Sequence, residues 1–221
     1  MNILILDIES TGLDPAKDRA IEVGCVLYSL QHSTMLRSFS TLIAGDGNAA
    51  EAINRIPPAA VIESTGTWAG VAKMAANATA IVAHNADFDR SFSPPAIQAA
   101  LPWVCSMSDL AWPRPSESRS LVSIALAHGL GVATAHRAIE DCLLIARLFT
   151  RARELGADLE AMLERGLRPK ALFVGLAPFE RNDEMKAAGF AWDRIVKRAW
   201  ARKMAIEDAA ALPFATRQVA P

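Results

Sequence analysis

The stretch Ile3–Gly12, ILILDIESTG, places two acidic residues directly at the end of an apolar segment. Ile3–Leu6 has the character of a buried strand, and in a strand the side chains at positions i and i+2 lie on the same face. Asp7 and Glu9 therefore project together, and two such charges repel unless one is protonated or a cation lies between them. Hard divalent ions such as Mg²⁺ prefer oxygen ligands of this kind. The stretch indicates a buried strand that ends in a candidate metal site, although most isolated D-x-E pairs are simply exposed.

Further apolar segments predict an α/β domain around this first strand. Apolar or alternating residues predict strands over Ala20–Leu30, Arg37–Ile43, Ala80–His84 and Trp103–Ser106. Helical periodicity or composition predicts helices over Trp68–Ala80, Ala96–Ala100, Leu121–His128 and Ala138–Leu155. Strands that come first and are followed by helices among strands are typical of an α/β or α+β domain.

The composition excludes several classes of protein. The chain has 221 residues, of which 52% are hydrophobic, and this suffices for one sizeable core with a small appendage. It has no run of about 18 apolar residues, so we expect no membrane span and no membrane partner. The N-terminus lacks the regions of a signal peptide, and the three cysteines match no disulfide or zinc pattern. We therefore expect a cytoplasmic protein.

The net charge of −1 conceals two regions of opposite charge. Residues 1–164 contain 12 Lys and Arg against 18 Asp and Glu, whereas residues 165–204 contain 10 against 4. We predict a main domain over 1–157, a small basic accessory module over 168–204 and a flexible tail over 205–221. A basic module beside an acidic body indicates an anionic partner, and a solvated charged face is the alternative.

A second acidic segment, His84–Arg90 (HNADFDR), begins where a predicted strand ends. Its acids therefore lie at the edge of the sheet that commonly holds ligand sites in open α/β folds. Asn85 and Asp87 could equally serve as helix caps. For Asp89 the sequence leaves two interpretations open: it pairs in the neighbourhood of Arg90, or it faces solvent.

A third segment, His136–Asp141 (HRAIED), combines a histidine and an acid five residues apart. On one continuous helix this spacing puts the two side chains about 140° apart. They converge if His136 lies in a connection and Asp141 lies in the first turns of the following helix. The alternative for His136 is a surface histidine near a helix start.

The three segments, in this order, resemble the motifs of the DEDDh-type (DnaQ-like) 3′–5′ exonucleases. DIESTGLDPAKDRAIEVGCV is similar to the first motif, HNADFDRSF to the second and HRAIEDCLLIARLF to the third, and the likeness covers residues 2–150. It implies a ribonuclease H-like fold with a mixed five-stranded sheet flanked by helices. It also implies that Asp7, Glu9, Asp87 and Asp141 bind two divalent ions, Mg²⁺ or Mn²⁺. His136 would then be the general base for the attacking water.

The same resemblance implies the substrate and the partners. The backbone of Ser10, Thr11 and Gly12 would face the terminal nucleotide and Leu13 would wedge against its base, while the alternative is a simple turn. The expected substrate is single-stranded DNA or a DNA 3′ end, hydrolysed to nucleoside 5′-monophosphates, with a polymerase or repair partner in DNA repair or proofreading. An RNA-trimming exonuclease and a catalytically idle adaptor stay as alternatives, and the oligomeric state stays open.

The basic module contains MKAAGFAWDRIVKRAWARKM, residues 185–204, which resembles a short α+β module of DNA-processing proteins. If Ile195–Met204 is a strand, its alternate residues Arg198, Trp200 and Arg202 share one face and could bind phosphates and a base. The alternative is that the tryptophans form the core of the module. We take that interpretation for Trp192 and leave it open for Trp200.

Overall fold

The structure, a computed structural model, describes residues 1–132 and 137–220. These residues divide into two units, Met1–Leu167 and Arg168–Pro221, each with its own hydrophobic core. Within the described ranges, no helix combines the length and the apolar character that crossing a membrane requires.

A mixed five-stranded sheet forms the centre of the first unit. Its strands lie in the order β3-β2-β1-β4-β5, and β1 therefore occupies the middle. The first three strands pair antiparallel, and β4 and β5 continue the sheet parallel to β1. The strands are β1 (Asn2–Ser10), β2 (Ala20–Ser29), β3 (Thr34–Leu42), β4 (Ile81–Ala83) and β5 (Trp103–Cys105). The predicted mixed five-stranded sheet is confirmed.

Helices cover both faces of this sheet. They are α1 (Glu51–Asn54), α2 (Pro58–Ile62), α3 (Ala69–Ala75), α4 (Ala86–Phe92), α5 (Pro95–Gln98), α6 (Leu121–Ala127), α7 (Ala138–Glu154) and α8 (Leu159–Leu167). Because β1 side chains alternate, Ile3 and Ile5 face the core under α7, whereas Leu4 and Leu6 face the core that contains Val71 of α3. Both faces of β1 are thus buried, and this explains its continuous apolar sequence.

The first unit extends beyond the predicted boundary at residue 157. The predicted domains left residues 158–167 unassigned, but Leu159–Leu167 form α8. Leu159 and Leu163, four residues apart on this helix, are buried in the core under α7. The boundary therefore lies between Leu167 and Arg168.

The second unit is a four-stranded antiparallel sheet in the order β7-β8-β6-β9 with two short helices. The elements are β6 (Lys170–Gly175), α9 (Asn182–Ala187), β7 (Ala191–Trp192), β8 (Trp200–Ala205), α10 (Ile206–Ala210) and β9 (Thr216–Val219). The prediction of a flexible tail over 205–221 is wrong for most of that range. Phe214 is buried in the core of the unit, and β9 pairs with β6.

Candidate active site

Three carboxylates meet where β1 reaches its carboxyl end. Asp7 and Glu9 project from β1, and Asp141 projects from the first turn of α7. Each offers an oxygen, and these atoms all lie within 4.8 Å of one another. The structure thus brings together three of the four acids that the sequence assigned to a metal site.

Two residues of β2 hold the start of α7 against the sheet and thereby position Asp141. Gly24 is paired with Asp7, and a Cβ added to Gly24 would lie 2.5 Å from the carbonyl carbon of Ala138. Only glycine lets the helix backbone approach the strand this closely. Glu22, two residues earlier, is 1% exposed and accepts hydrogen bonds from the Arg137 guanidinium at 2.7 Å and from the Ala138 N–H at 3.1 Å.

Sequence reasoning missed both of these residues. A usable signal was present, because Glu22 is an acid inside a continuous apolar strand, and a buried carboxylate requires a partner. That partner, Arg137, directly follows the predicted general base His136, which lies outside the described residues. The sequence also predicted that Asp141 lies in the first turns of the helix that follows His136. In the structure, α7 begins at Ala138 and Asp141 lies in its first turn.

The second acidic segment places Asp89, rather than Asp87, against β1. Asp87 is exposed on α4, whereas Asp89 is 2% exposed and its Oδ1 accepts a hydrogen bond from the Ile8 N–H at 3.1 Å. The pairing of β1 with β4 ends at Ile5 and Val82, so β4 does not reach the Ile8 N–H. The sequence predicted Asp87 for the site, whereas the acid that the structure buries against β1 is Asp89. Residues two apart on a helix lie about 200° apart, and only one of them can face the sheet.

The carboxylates of the site repel one another electrostatically. Burial, and then the charges of Asp89 and Asp141, raise the pKa of Asp7 well above its usual value. Burial, Asp141 and Glu22 raise the pKa of Glu9 from 4.5 to about 7, and Arg137 acts in the opposite direction. Burial also raises the pKa of Asp89.

The donor set fits a divalent cation. All of its ligand atoms are carboxylate oxygens, which Mg²⁺ and Mn²⁺ prefer. Within residues 1–132 and 137–220, the buried Oδ2 of Asp89 has no hydrogen-bond partner. A buried carboxylate oxygen without a donor costs free energy, and a cation would compensate that cost together with the repulsion among the acids.

We expect the metal-free protein to lose thermal stability as the pH rises from about 5 to about 8. The folded state binds a proton at Glu9 more tightly than the unfolded state does, since its pKa is raised from 4.5 to about 7. This stabilising contribution is complete below pH 4.5 and is lost as the pH passes through about 7. Thermal unfolding in a chelator, followed by circular dichroism, measures the effect.

Two further measurements distinguish this effect from the titration of other groups in the chain. Excess Mn²⁺ should raise the unfolding midpoint more at high pH than at low pH, because protons and the cation compete for the same oxygens. Glu9→Gln should flatten the pH dependence in the chelator. An equally steep decline in Glu9→Gln would show that the acids of the site are not its source.

The predicted substrate-binding turn after β1 has a defined internal structure. The Ser10 hydroxyl is buried and donates to the Gly12 carbonyl at 2.6 Å, so this side chain is directed inward. Thr11 donates to Asp18 Oδ1 at 3.0 Å and accepts from the Arg19 N–H. Leu13, by contrast, is 84% exposed. An apolar side chain exposed in this turn is available for contact with a base, and the role of Leu13 stays a prediction.

The predicted substrate-binding face of the second unit is not formed as the sequence suggested. The expected strand over Ile195–Met204 begins only at Trp200, so Arg198 lies in a turn. The Trp200 Nε1–H donates to Asn182 Oδ1 at 2.8 Å, and the Arg202 guanidinium donates to the Ala188 carbonyl. Trp200 and Arg202 thus have structural contacts within the unit. The alternation argument failed because residues 193–199 do not extend β8.

A family model described as Exonuclease matches residues 4–149, which is more than half of the chain. A second model, a domain of unknown function (DUF8626), matches residues 171–219. Among curated proteins, the PolC-type DNA polymerase III of Thermotoga maritima is 29% identical in an alignment 202 residues long that covers 80% of this chain and 14% of that protein. The chain therefore spans a small part, 12–14%, of the curated relatives it matches.

Solved structures share the fold. A structure described as Exonuclease X in complex with 5′ overhanging duplex DNA is 27% identical, with a TM-score of 0.57 over 74% of this chain and 99% of that chain. The nuclease domain of 3′hExo, described as a DEDDh family member bound to rAMP, is 16% identical, with a TM-score of 0.54 over 71% of this chain and 94% of that one. The predicted ribonuclease H-like exonuclease fold is confirmed.

Proposed function

The chain belongs to the exonuclease family, and from this premise we propose that it is a metal-dependent enzyme that removes nucleotides one at a time from DNA 3′ ends. Its class as a 3′–5′ exonuclease on nucleic acid agrees with the prediction from the three motifs. The finer proposal concerns the ions, the residues that bind them and the substrate.

One observation supports this proposal most directly, namely the cluster of Asp7, Glu9 and Asp141 with ligand oxygens within 4.8 Å. We propose that these acids and Asp89 hold two divalent ions, Mg²⁺ or Mn²⁺. Such ions supply an activated water and stabilise the charge that develops on the attacking and departing oxygens. An adaptor without catalytic activity would have no need of acids whose pKa values are raised by burial and by mutual repulsion.

Residues around the cluster are assigned three further roles: positioning α7, accepting a proton and contacting the terminal nucleotide. Glu22 and Arg137 hold the start of α7, and with it Asp141, at a fixed position on the sheet. His136 is proposed as the base that accepts the proton of the attacking water, since a histidine titrates near neutral pH. The turn from Ser10 to Leu13 is proposed to contact the terminal nucleotide, with Leu13 against its base.

DNA is the proposed substrate because Exonuclease X, the solved relative at 27% identity, is described in complex with DNA. The PolC-type relatives are polymerases, and this supports a polymerase or repair partner as a further proposal. RNA stays the alternative, and it is tested in the same assay.

The test is a time course on a 5′-labelled single-stranded oligodeoxynucleotide, with a matched RNA beside it. We expect a ladder of products that shorten from the 3′ end, release of nucleoside 5′-monophosphates, and no cleavage in EDTA. Faster shortening of the RNA would replace the proposed substrate. Internal cuts, or cleavage that persists in EDTA, would contradict the proposed mechanism.

A further inference from the structure

The connection between β7 and β8 forms an exposed basic and aromatic surface on the second unit. We call residues 192–200, WDRIVKRAW, the hairpin tip. Two large apolar side chains are exposed there, Trp192 at 53% and Ile195 at 55%. Three cations, Arg194, Lys197 and Arg198, are exposed beside them.

The backbone of the hairpin tip is closed by its own hydrogen bonds. Asp193 Oδ1 accepts from the Arg198 N–H at 2.7 Å, and the Asp193 N–H donates to the Ala199 carbonyl at 3.0 Å. Asp193 and Arg198 both have positive φ, at 54° and 57°, which reverses the chain within a short span. The acid of the tip is therefore engaged by the turn itself, while the cations project from an ordered backbone.

The two tryptophans of the hairpin have different roles. Trp200 packs against the core of the unit and is fixed by its hydrogen bond to Asn182. Trp192 packs on Trp200, with ring centroids 5.8 Å apart, and is still half exposed. The sequence had assigned Trp192 to the core and left Trp200 open, and the structure has the reverse arrangement. An exposed ring supported by a fixed ring provides a preorganised stacking surface at a small entropy cost.

The hairpin tip carries more positive charge than its own acid can neutralise. Three cations elsewhere in the unit are paired with acids: Arg168 with Glu207 and Asp208, Arg181 with Glu184, and Lys186 with Asp183. At the tip, the Lys197 Nζ lies 3.7 Å from Asp193 Oδ2, and neither Arg194 nor Arg198 forms an ion pair with the described residues. A polyanion therefore complements the tip better than an apolar protein surface does.

We propose that the hairpin tip binds single-stranded nucleic acid, with phosphates on Arg194, Lys197 and Arg198 and one base stacked on Trp192. Cations that follow a backbone beside an aromatic ring are the combination with which proteins bind single strands without sequence preference. This function goes beyond the proposed cleavage, because it retains the strand through a surface that contains no catalytic group.

The test measures binding of the full chain to fluorescein-labelled (dT) oligonucleotides by anisotropy in EDTA, where no cleavage is expected. Arg194→Glu combined with Lys197→Glu should weaken binding at least about tenfold and reduce the salt dependence of log Kd by about 1.4, since each phosphate contact on a single strand contributes about 0.7. Trp192→Ala should weaken binding at least about fivefold through lost stacking, and Trp192→Phe should restore most of it.

Arg217→Glu is the matched control, because Arg217 is an exposed cation on β9, at the opposite edge of the same sheet. It should change Kd by less than about twofold if binding is local to the hairpin tip. The proposal is overturned if Arg217→Glu weakens binding as much as the double variant, or if the double variant binds like the unmodified chain. Hydrolysis of p-nitrophenyl thymidine 5′-monophosphate, a single phosphodiester, should be unchanged in the hairpin variants, so failure of the binding proposal stays distinguishable from failure of the active-site proposal.

Discussion

Replacing Asp7 with asparagine is expected to reduce cleavage of single-stranded DNA by roughly a thousandfold or more. Asp7 lies at the centre of the acidic cluster, and its pKa is raised by burial and by Asp89, Asp141, Glu9 and Glu22. A bound metal ion stabilises a phosphoryl-transfer transition state by several kcal/mol, and about 1.4 kcal/mol corresponds to tenfold in rate. The rate of mononucleotide release at saturating Mn²⁺ measures the loss.

The same variant should be at least as stable as the unmodified chain when no metal is present. Asparagine removes a charge that is repelled by its neighbours, so the unfolding midpoint in EDTA near pH 8 should be unchanged or higher. Asp46→Asn is the matched control, because the Asp46 side chain is 89% exposed, and both cleavage and stability should be retained. Asp7→Asn with more than a tenth of the original activity would contradict the assignment of the site.

Asp89→Asn and Asp87→Asn should differ sharply in activity although the two positions are two residues apart on α4. Asp89 is buried beside Asp7, and among the described residues its Oδ2 has no hydrogen-bond partner, which leaves this oxygen available to a cation. We therefore expect Asp89→Asn to lose at least about a hundredfold in kcat/KM. Asparagine can still accept the Ile8 N–H through its amide oxygen, so the fold should be retained. Asp87 is exposed, and Asp87→Asn should remain within about twofold of the original rate, as is usual for surface substitutions.

Measurement of Mn²⁺ binding by calorimetry gives a second comparison of this pair. Asp89→Asn should weaken the affinity or remove one binding event, and Asp87→Asn should leave the titration unchanged. The opposite ranking of the two variants, in rate or in metal binding, would restore the assignment of Asp87 that the sequence suggested.

The choice between Asp87 and Asp89 illustrates where sequence reasoning stopped. The segment ADFDRSF indicated acids after a strand, and the helix that contains them was not assigned. Once α4 is recognised, its buried residues Ala86, Asp89 and Phe92 recur every third position, so the helical period alone would have selected Asp89. The information was in the sequence, but its use required knowledge of the secondary structure.

The second unit shows the converse case, in which a strand was assigned too early in the chain. The alternation from Ile195 onward assumed an extended backbone, yet Asp193 and Arg198 adopt positive φ and close a turn. As a result, the exposed ring is that of Trp192, whereas the ring of Trp200 packs against the core. No local pattern distinguishes the two rings, because exposure depends on which of them reaches the core containing Phe173 and Phe190.

The sequence by itself determined the strand β1 and the convergence of Asp7 with Glu9, because alternation along a strand is a local property of the backbone. Only the tertiary structure decided that Asp89 and Asp141 join them. The position of Asp89 depends on which side of α4 packs against the sheet. The position of Asp141 depends on two contacts of α7, namely its close approach to Gly24 and its hydrogen bond to Glu22. These contacts join residues some 80 to 120 positions apart, and packing between such distant segments is what local sequence patterns do not specify.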